Sequence, residues 1–94
     1  MKLVIEWSKE AEETFNLTIA HIEEKWGFNS AQKFVKAAFE TIDNIAINPF
    51  IFAAIEQEGI RKAYISKQTS LFYEVVNNKI LLLFFWDNRQ LPIL

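Results

Sequence analysis

The first half of the chain shows a helical period of apolar positions. In the stretch "SKEAEETFNLTIAHIEEKWG", apolar residues recur every three or four positions, which is the spacing of one face of an α-helix. Ser8 precedes the stretch and can cap the helix through its hydroxyl, and acidic residues follow in the first turn. Gly27 is typical of a helix end. We therefore predict a first helix with the core-facing stripe Ala11, Phe15, Ile19, Ile22 and Trp26.

A second helical stripe follows almost at once. The pattern predicts that this helix begins at Asn29 or Ser30 and ends at Asn48, because a residue before proline is pushed out of the helical region. A connection of about three residues predicts an antiparallel helical hairpin. Each helix has one apolar stripe, so the two need a shared apolar platform. The stripe of the second helix is Ala31, Phe34, Val35, Ala38, Ile42 and Ile45.

Short β-type runs make up the rest of the chain. "KLVIEW" predicts a strand before the first helix, and "IRKAYI", "TSLFYEVV" and "KILLLFFW" predict three strands after the second. Asn77 and Asn78 tolerate positive φ and predict a hairpin turn. The run "PFIFAAIEQEG" alternates poorly and is interpreted as a loop with room for one helical turn. The prediction is an α+β fold, β-α-α-β-β-β, in one domain over residues 1–94, with the helical hairpin on one face of a largely antiparallel sheet.

The last predicted strand, "KILLLFFW", shows no alternation of apolar and polar residues. Strands without alternation are typically buried on both faces. The helices can cover only one face. We therefore expect a central strand whose second face is covered by something else, which indicates a place for a partner.

Composition narrows the possible functions. The chain has 94 residues, of which 51% are hydrophobic and 15% aromatic, and it contains no cysteine. A disulfide framework, a thiol nucleophile and a zinc-thiolate site are thereby excluded. One histidine and no suggestive carboxylate spacing give no reason to expect a metal or another cofactor. No apolar run reaches the length of a signal peptide core or a membrane span, so a cytoplasmic protein without membrane association is expected.

The two halves of the chain differ in net charge, and the C-terminal half is the more basic. The formal net charge is −2, which weighs against strong nucleic-acid binding. Residues 1–56 carry nine acids and five bases, whereas residues 57–94 carry three acids and five bases. His21 lies off the centre of its helical stripe and is interpreted as a surface or flank residue, and Tyr73 is interpreted as a core residue. The candidate residues for binding a target or a partner are Arg61, Lys62, Lys67, Trp86, Arg89 and Gln90, and Arg61 and Arg89 are also the candidates for catalysis.

At this point the sequence resembles the RelE/ParE family of toxins from bacterial type II toxin-antitoxin modules. The resemblance covers essentially the whole chain. "IEWSKEAEETFNLTIAHIEEKWG" resembles the opening of the family, "AQKFVKAAFETIDNIAINP" its second helix, "GIRKAYI" its Gly-x-Arg segment and "LFYEVVNNKILLLFFWDNRQLP" its final hairpin. The resemblance implies a growth-inhibiting toxin held inactive by a cognate antitoxin. Leu17, opposite the core stripe of the first helix, is a further candidate contact with that antitoxin, and an oligomer is possible.

Two activities occur in this family. RelE-like members cut messenger RNA on the ribosome with a set of basic residues and often a C-terminal Tyr, whereas ParE-like members poison DNA gyrase. Where RelE-like proteins carry an Arg on the third strand this chain has Ser70, and its tail "QLPIL" contains no Tyr. Arg89 does fall near the second Arg of the family. The resemblance therefore favours a ParE-like toxin, with a RelE-like ribonuclease or a non-toxic interaction domain of the same fold as alternatives.

Overall fold

The fold follows the predicted order of elements. The computed structural model describes residues 2–55 and 59–89. Two helices pack on one face of a four-stranded sheet, as the sequence predicted. In chain order the elements are β1 (Val4–Trp7), α1 (Lys9–Trp26), α2 (Phe28–Ile47), β2 (Ile60–Tyr64), β3 (Thr69–Val76) and β4 (Lys79–Asp87).

The helical hairpin is tighter than the sequence indicated. Ser8 caps α1 as expected, since its hydroxyl accepts a hydrogen bond from the Ala11 amide at 3.0 Å. The prediction that α2 begins at Asn29 or Ser30 was wrong, because α2 begins at Phe28 and Gly27 alone joins the helices. Gly27 has φ +93°, a conformation that glycine adopts at little cost, so one residue suffices to reverse the chain.

Strand order places β4 in the interior of the sheet. The order is β1-β4-β3-β2, with β1 parallel to β4 and the other neighbours antiparallel. The predicted turn between β3 and β4 is confirmed, since Asn77 and Asn78 have φ of 48° and 65°, the left-handed values that a tight hairpin turn needs. The central position predicted for the last strand is also confirmed.

A bulge in β4 changes which of its residues face the helices. Phe72 of β3 pairs with Phe84, but the next residue, Tyr73, pairs with Leu82, so Leu83 is an extra residue in β4. The extra residue returns Phe85 to the face that already carries Leu82, and both are buried against the helices. The expectation that β4 is buried on both faces was therefore only partly correct. The residues on its other face are half-buried.

Aromatic side chains form the centre of the core. Phe15 of α1 packs against Phe34 of α2 and Phe85 of β4, with ring centroids 5.8 and 5.1 Å apart. Trp7 of β1 adds an edge contact with Phe15 at 5.2 Å. The stripe residues of α2 are buried or half-buried as predicted. On α1, however, Trp26 is 50% exposed, because it lies at the last residue of the helix and beyond the core.

Two hydroxyl groups of the first helical turns attach α1 to β4. Ser8 donates a hydrogen bond from its hydroxyl to the Leu83 carbonyl at 2.8 Å. Thr14 accepts one from the Phe85 amide, also at 2.8 Å, and donates to the Glu10 carbonyl of its own helix. These bonds satisfy polar groups of β4 at and after the bulge.

The segment after α2 forms no helix within its described residues 48–55, but it contains one hydrogen-bonded turn, in which the Ile51 amide donates to the Asn48 carbonyl at 3.1 Å. It is held against the sheet by a bridge between Ala54 and Arg61 and by a hydrogen bond from the Tyr73 hydroxyl to the Pro49 carbonyl at 2.8 Å. Tyr73 is fully buried, so its interpretation as a core residue is confirmed.

Candidate binding groove

An open cavity of about 690 Å³ lies where the helical hairpin meets the end of β4. We call it the hairpin groove. Its walls come from three parts of the chain: α1 and α2, the turn between β2 and β3, and the last residues of β4. The residues that line it are Thr14, Leu17, Thr18, His21, Ile22, Trp26, Ser30, Lys33, Phe34, Ala37, Ser66, Gln68, Thr69, Phe85, Trp86, Asp87 and Arg89.

One part of the groove is apolar. Phe34 and Phe85 reach it from the core, and Ile22 and Leu17 extend the apolar surface along α1. Leu17 is 69% exposed, as its position opposite the core stripe predicted. Apolar surface that is continuous with the core and open to solvent is characteristic of sites where another chain binds.

The other part of the groove is charged. Arg89 forms an ion pair with Asp87, with 2.7 Å between a guanidinium nitrogen and a carboxylate oxygen, and its amide also donates to that carboxylate. Hydrogen bonds from Arg89 hold the pKa of Asp87 below its usual value, and the same pair raises the pKa of Arg89. The guanidinium also lies 5.9 Å from the centre of the Trp26 ring. His21 packs edge-on against that ring, and Lys33 lines the groove from α2.

Arg61 lies at a different place in the molecule. One of its guanidinium nitrogens donates to the Phe52 carbonyl at 2.7 Å, and the guanidinium lies 4.7 Å from the centre of the Phe50 ring. Arg61 therefore holds the segment after α2 against β2. The sequence also suggests that Arg61 simply pairs with Glu56 or Glu58, but both of these residues lie outside the described part of the chain.

The two candidate catalytic arginines are not brought together. Arg61 pairs across the sheet with Tyr73, whereas Asp87, two residues before Arg89, pairs with Thr69. Tyr73 and Thr69 are four positions apart in β3, which is about 13 Å along the strand.

Lys62 lies on the face of the sheet that the helices leave open. Its ammonium group is 5.2 Å from the centre of the Tyr64 ring and 5.7 Å from that of Phe72, and Phe72 is stacked on Phe84 at 4.8 Å. This arrangement covers the middle of the open face. The described part of that face does not gather several basic side chains at one point.

The other predicted residues lie near the end of β4. Trp86 is half-buried and lines the groove, and no hydrogen-bond partner for its buried indole nitrogen occurs among the described residues. Lys67 is exposed in the turn between β2 and β3, where its carbonyl accepts a hydrogen bond from Asn88 at 3.3 Å. Gln90 lies outside the described residues. Ser70 is fully buried and donates to the Asn88 side chain at 2.8 Å.

Sequence reasoning did not identify the helical wall of the groove. His21 was interpreted as a surface or flank residue, and Thr14 and Lys33 were not singled out. The one signal in the sequence was Leu17, an apolar residue away from the stripe. Nothing in the sequence around Lys33 and Ser30 distinguishes them from the other polar, solvent-facing residues of α2.

Within residues 2–55 and 59–89, no group of three or more histidine or acidic side chains is placed to hold a metal ion. None of the described helices combines the length and apolar character that crossing a membrane requires.

Comparison with known proteins gives one family match. Residues 5–92 match the model of a family described as the ParE toxin of the type II toxin-antitoxin system parDE. A comparison with curated proteins gave no match.

Solved structures of similar fold come from several bacteria. A structure of a chromosomal ParDE toxin-antitoxin system from P. aeruginosa aligns with a TM-score of 0.78 and 18% identity, covering 92% of this chain and 96% of the other. The RelBE2 toxin-antitoxin complex from Mycobacterium tuberculosis aligns with a TM-score of 0.65 and 13% identity, covering 94% of this chain and 100% of the other. A YoeB dimer from Staphylococcus aureus aligns with a TM-score of 0.64 and 19% identity, covering 92% of this chain and 97% of the other. At these identities the likeness establishes a shared fold.

Proposed function

The chain belongs to the family of ParE toxins of type II toxin-antitoxin systems, and from this premise we propose that it arrests growth by poisoning DNA gyrase without cutting RNA. Its partner in the resting cell is a cognate antitoxin, which we place in the hairpin groove. The groove suits this role because it exposes apolar surface continuous with the core beside charged side chains.

The choice of gyrase rests on the contacts that the candidate basic residues already make within the protein. A ribonuclease of this family without histidine needs several cations around the scissile phosphate. Here Ser70 occupies the position of one of them and is buried in a hydrogen bond to Asn88. Arg61 holds a carbonyl of the Phe50–Phe52 segment, and Arg89 is paired with Asp87. These engagements leave the open face of the sheet poorly equipped for phosphate chemistry.

The experiment that tests this proposal is induced expression in a bacterial host. Labelled precursors follow DNA replication and protein synthesis separately, and purified protein is added to gyrase and supercoiled plasmid in parallel. We expect an early stop in replication, filamentous cells, and cleaved plasmid that accumulates only with gyrase present. Coexpression of the antitoxin should restore growth.

A matched pair of variants distinguishes gyrase poisoning from the ribonuclease alternative. Lys62→Ala removes the ammonium group that lies over the aromatic rings of the open face, and Lys36→Ala removes one from the exposed side of α2. Both variants should remain toxic if gyrase is the target. Early loss of protein synthesis with cut messenger RNA, relieved by Lys62→Ala but not by Lys36→Ala, would contradict the proposal in favour of the ribonuclease.

A further inference from the structure

Two large aromatic side chains are exposed where the two helices meet. Trp26 is the last residue of α1 and Phe28 the first of α2, and they are 50% and 62% exposed. Only Gly27 lies between them, and we call residues 25–28 the hairpin tip. A single exposed apolar side chain is ordinary, but neither of these two rings belongs to the core cluster. Packing of the core therefore does not account for them.

The hairpin tip is held rigidly. The Gly27 amide donates to the Glu23 carbonyl at 2.9 Å, and the Gly27 carbonyl accepts from the Ala31 amide at 3.2 Å, so the hydrogen bonds of both helices reach into the turn. An aromatic side chain on a rigid element loses little conformational freedom when it binds. The tip is therefore preorganised for a contact with another molecule.

Cationic groups lie beside the Trp26 ring. The Lys25 ammonium group is 5.7 Å from the centre of the ring, and the Arg89 guanidinium is 5.9 Å from it. Arg89 is paired with Asp87, whereas Lys25 forms no salt bridge within the described residues. The charge of Lys25 is thus available to an acidic group of a partner. Aromatic side chains with a cation beside them are typical of the residues that dominate binding energy at protein interfaces.

The hairpin tip overlaps the hairpin groove at one residue. Trp26 lines the groove, but Phe28 does not. A chain seated in the groove consequently covers Trp26 and leaves Phe28 outside its contact. A second partner that needs Trp26 cannot bind at the same time.

We propose that the hairpin tip is the surface that contacts gyrase, with Phe28 and Trp26 in an apolar pocket of the enzyme and Lys25 beside an acidic group at its rim. This inference rests on the proposed function. It also explains neutralisation, because an antitoxin in the groove takes Trp26 away from gyrase.

The exposed apolar residues at the other end of α2 suit this role less well. Ile47 is 58% exposed, but it lies 17 positions from the groove residue Ser30, which is roughly 25 Å along the helix. An antitoxin in the groove would leave a target surface at that distance uncovered.

Phe28→Ser against Phe50→Ser is the decisive comparison. The two phenylalanines are almost equally exposed, at 62% and 61%, but Phe50 follows the far end of α2. Binding of each purified variant to immobilised gyrase is measured, together with cleaved plasmid. We expect Phe28→Ser to bind about thirtyfold more weakly than wild type, as for an aromatic residue at the centre of an interface, and Phe50→Ser to stay within twofold. Equal affinities of the two folded variants would overturn the inference.

A charge pair tests the same surface if Phe28→Ser fails to fold. Lys25→Glu should weaken gyrase binding at least fivefold, because a carboxylate then faces the acidic rim, while Lys36→Glu on the exposed side of α2 should stay within twofold. Equal effects of the two substitutions would overturn the contact at the tip.

Competition tests the overlap at Trp26. The probe is the purified product of the gene adjacent to this one, which the proposed function expects to be the antitoxin. Phe28→Ser should bind it within twofold of wild type, and the preformed complex of the wild-type toxin should not bind gyrase. A complex that binds gyrase as tightly as the free toxin would overturn the overlap.

The outcomes separate this inference from the proposed function. A wild-type chain that neither binds gyrase nor causes plasmid cleavage would overturn the proposed function, and with it the role of the tip. A wild-type chain that poisons gyrase while Phe28→Ser poisons it equally well would overturn the inference alone.

Discussion

At the residue scale, Tyr73 and Arg61 show how polar groups of this chain serve its structure. Both lie where the segment after α2 crosses the sheet, and each donates a hydrogen bond to a carbonyl of that segment. Arg61 was a candidate for catalysis because arginine is a common phosphate ligand. The structure instead gives its guanidinium a carbonyl and an aromatic ring as neighbours.

The hydroxyl of Tyr73 should contribute measurably to stability. Tyr73→Phe leaves the Pro49 carbonyl without its donor, so we expect the free energy of unfolding at neutral pH to fall by about 1 kcal/mol. Urea denaturation measures this, and Tyr64→Phe, whose side chain is largely exposed, is the control. Equal effects of the two substitutions would argue against a role for the hydrogen bond.

The difference in stability between wild type and Tyr73→Phe should also depend on pH. Burial raises the pKa of Tyr73 above its usual value, so the folded state favours the neutral phenol. That contribution is complete below the pKa of the unfolded chain, about 10, and is lost as pH rises through the higher folded value. The stability difference between wild type and Tyr73→Phe should therefore shrink above about pH 10. A difference that grows there would contradict the assignment.

At the element scale, one serine connects a strand, a helix and the bulge of another strand. Ser8 accepts from the Ala11 amide at the start of α1 and donates to the Leu83 carbonyl in β4. The cap was predictable from local sequence, because Ser precedes an amphipathic stretch. The bond to Leu83 was not, since it joins residues 75 positions apart.

Ser8→Ala should therefore cost more than the loss of a cap alone. We expect a decrease of about 2 kcal/mol in the free energy of unfolding, because the Ala11 amide and the partly buried Leu83 carbonyl both lose their partner. Ser8→Thr keeps a hydroxyl and should cost less than about 1 kcal/mol. Thermal and urea denaturation of both variants would decide this, and a similar loss in the two would show that the hydroxyl is not the cause.

At the scale of the whole molecule, the fold leaves apolar surface exposed beside the groove. Leu17 at the groove and Ile51 after α2 are both more than half exposed, but only Leu17 lines the cavity. Exposed apolar surface of this kind promotes association between molecules. The isolated toxin should consequently self-associate through the groove when no antitoxin is bound.

Leu17→Ser tests this prediction. The substitution should shift the protein toward monomer at high concentration, with a change in unfolding free energy within about 0.5 kcal/mol, because the side chain is exposed. Ile51→Ser is the matched control. Sedimentation velocity over a range of concentrations gives the readout, and a wild-type chain that stays monomeric throughout would refute it.

The sequence by itself determined the order of the elements and most of their limits. Helical and strand periods, the Ser8 cap and the Asn77–Asn78 turn are local signals, since each depends on residues close together in the chain. The central place of β4 also followed, because a strand without polar positions needs neighbours. The resemblance to a toxin family rested on the same ordered segments.

Only the tertiary structure decided where the candidate site lies. Several features depend on contacts between segments that are distant in the chain. These are the bulge at Leu83, the separation of Arg61 from Arg89, and the position of His21, Lys33 and Asp87 around one groove. No local period encodes such contacts. They arise because β1 ends at Trp7 and α1 crosses back over β4, which leaves the end of a central strand beside an open groove.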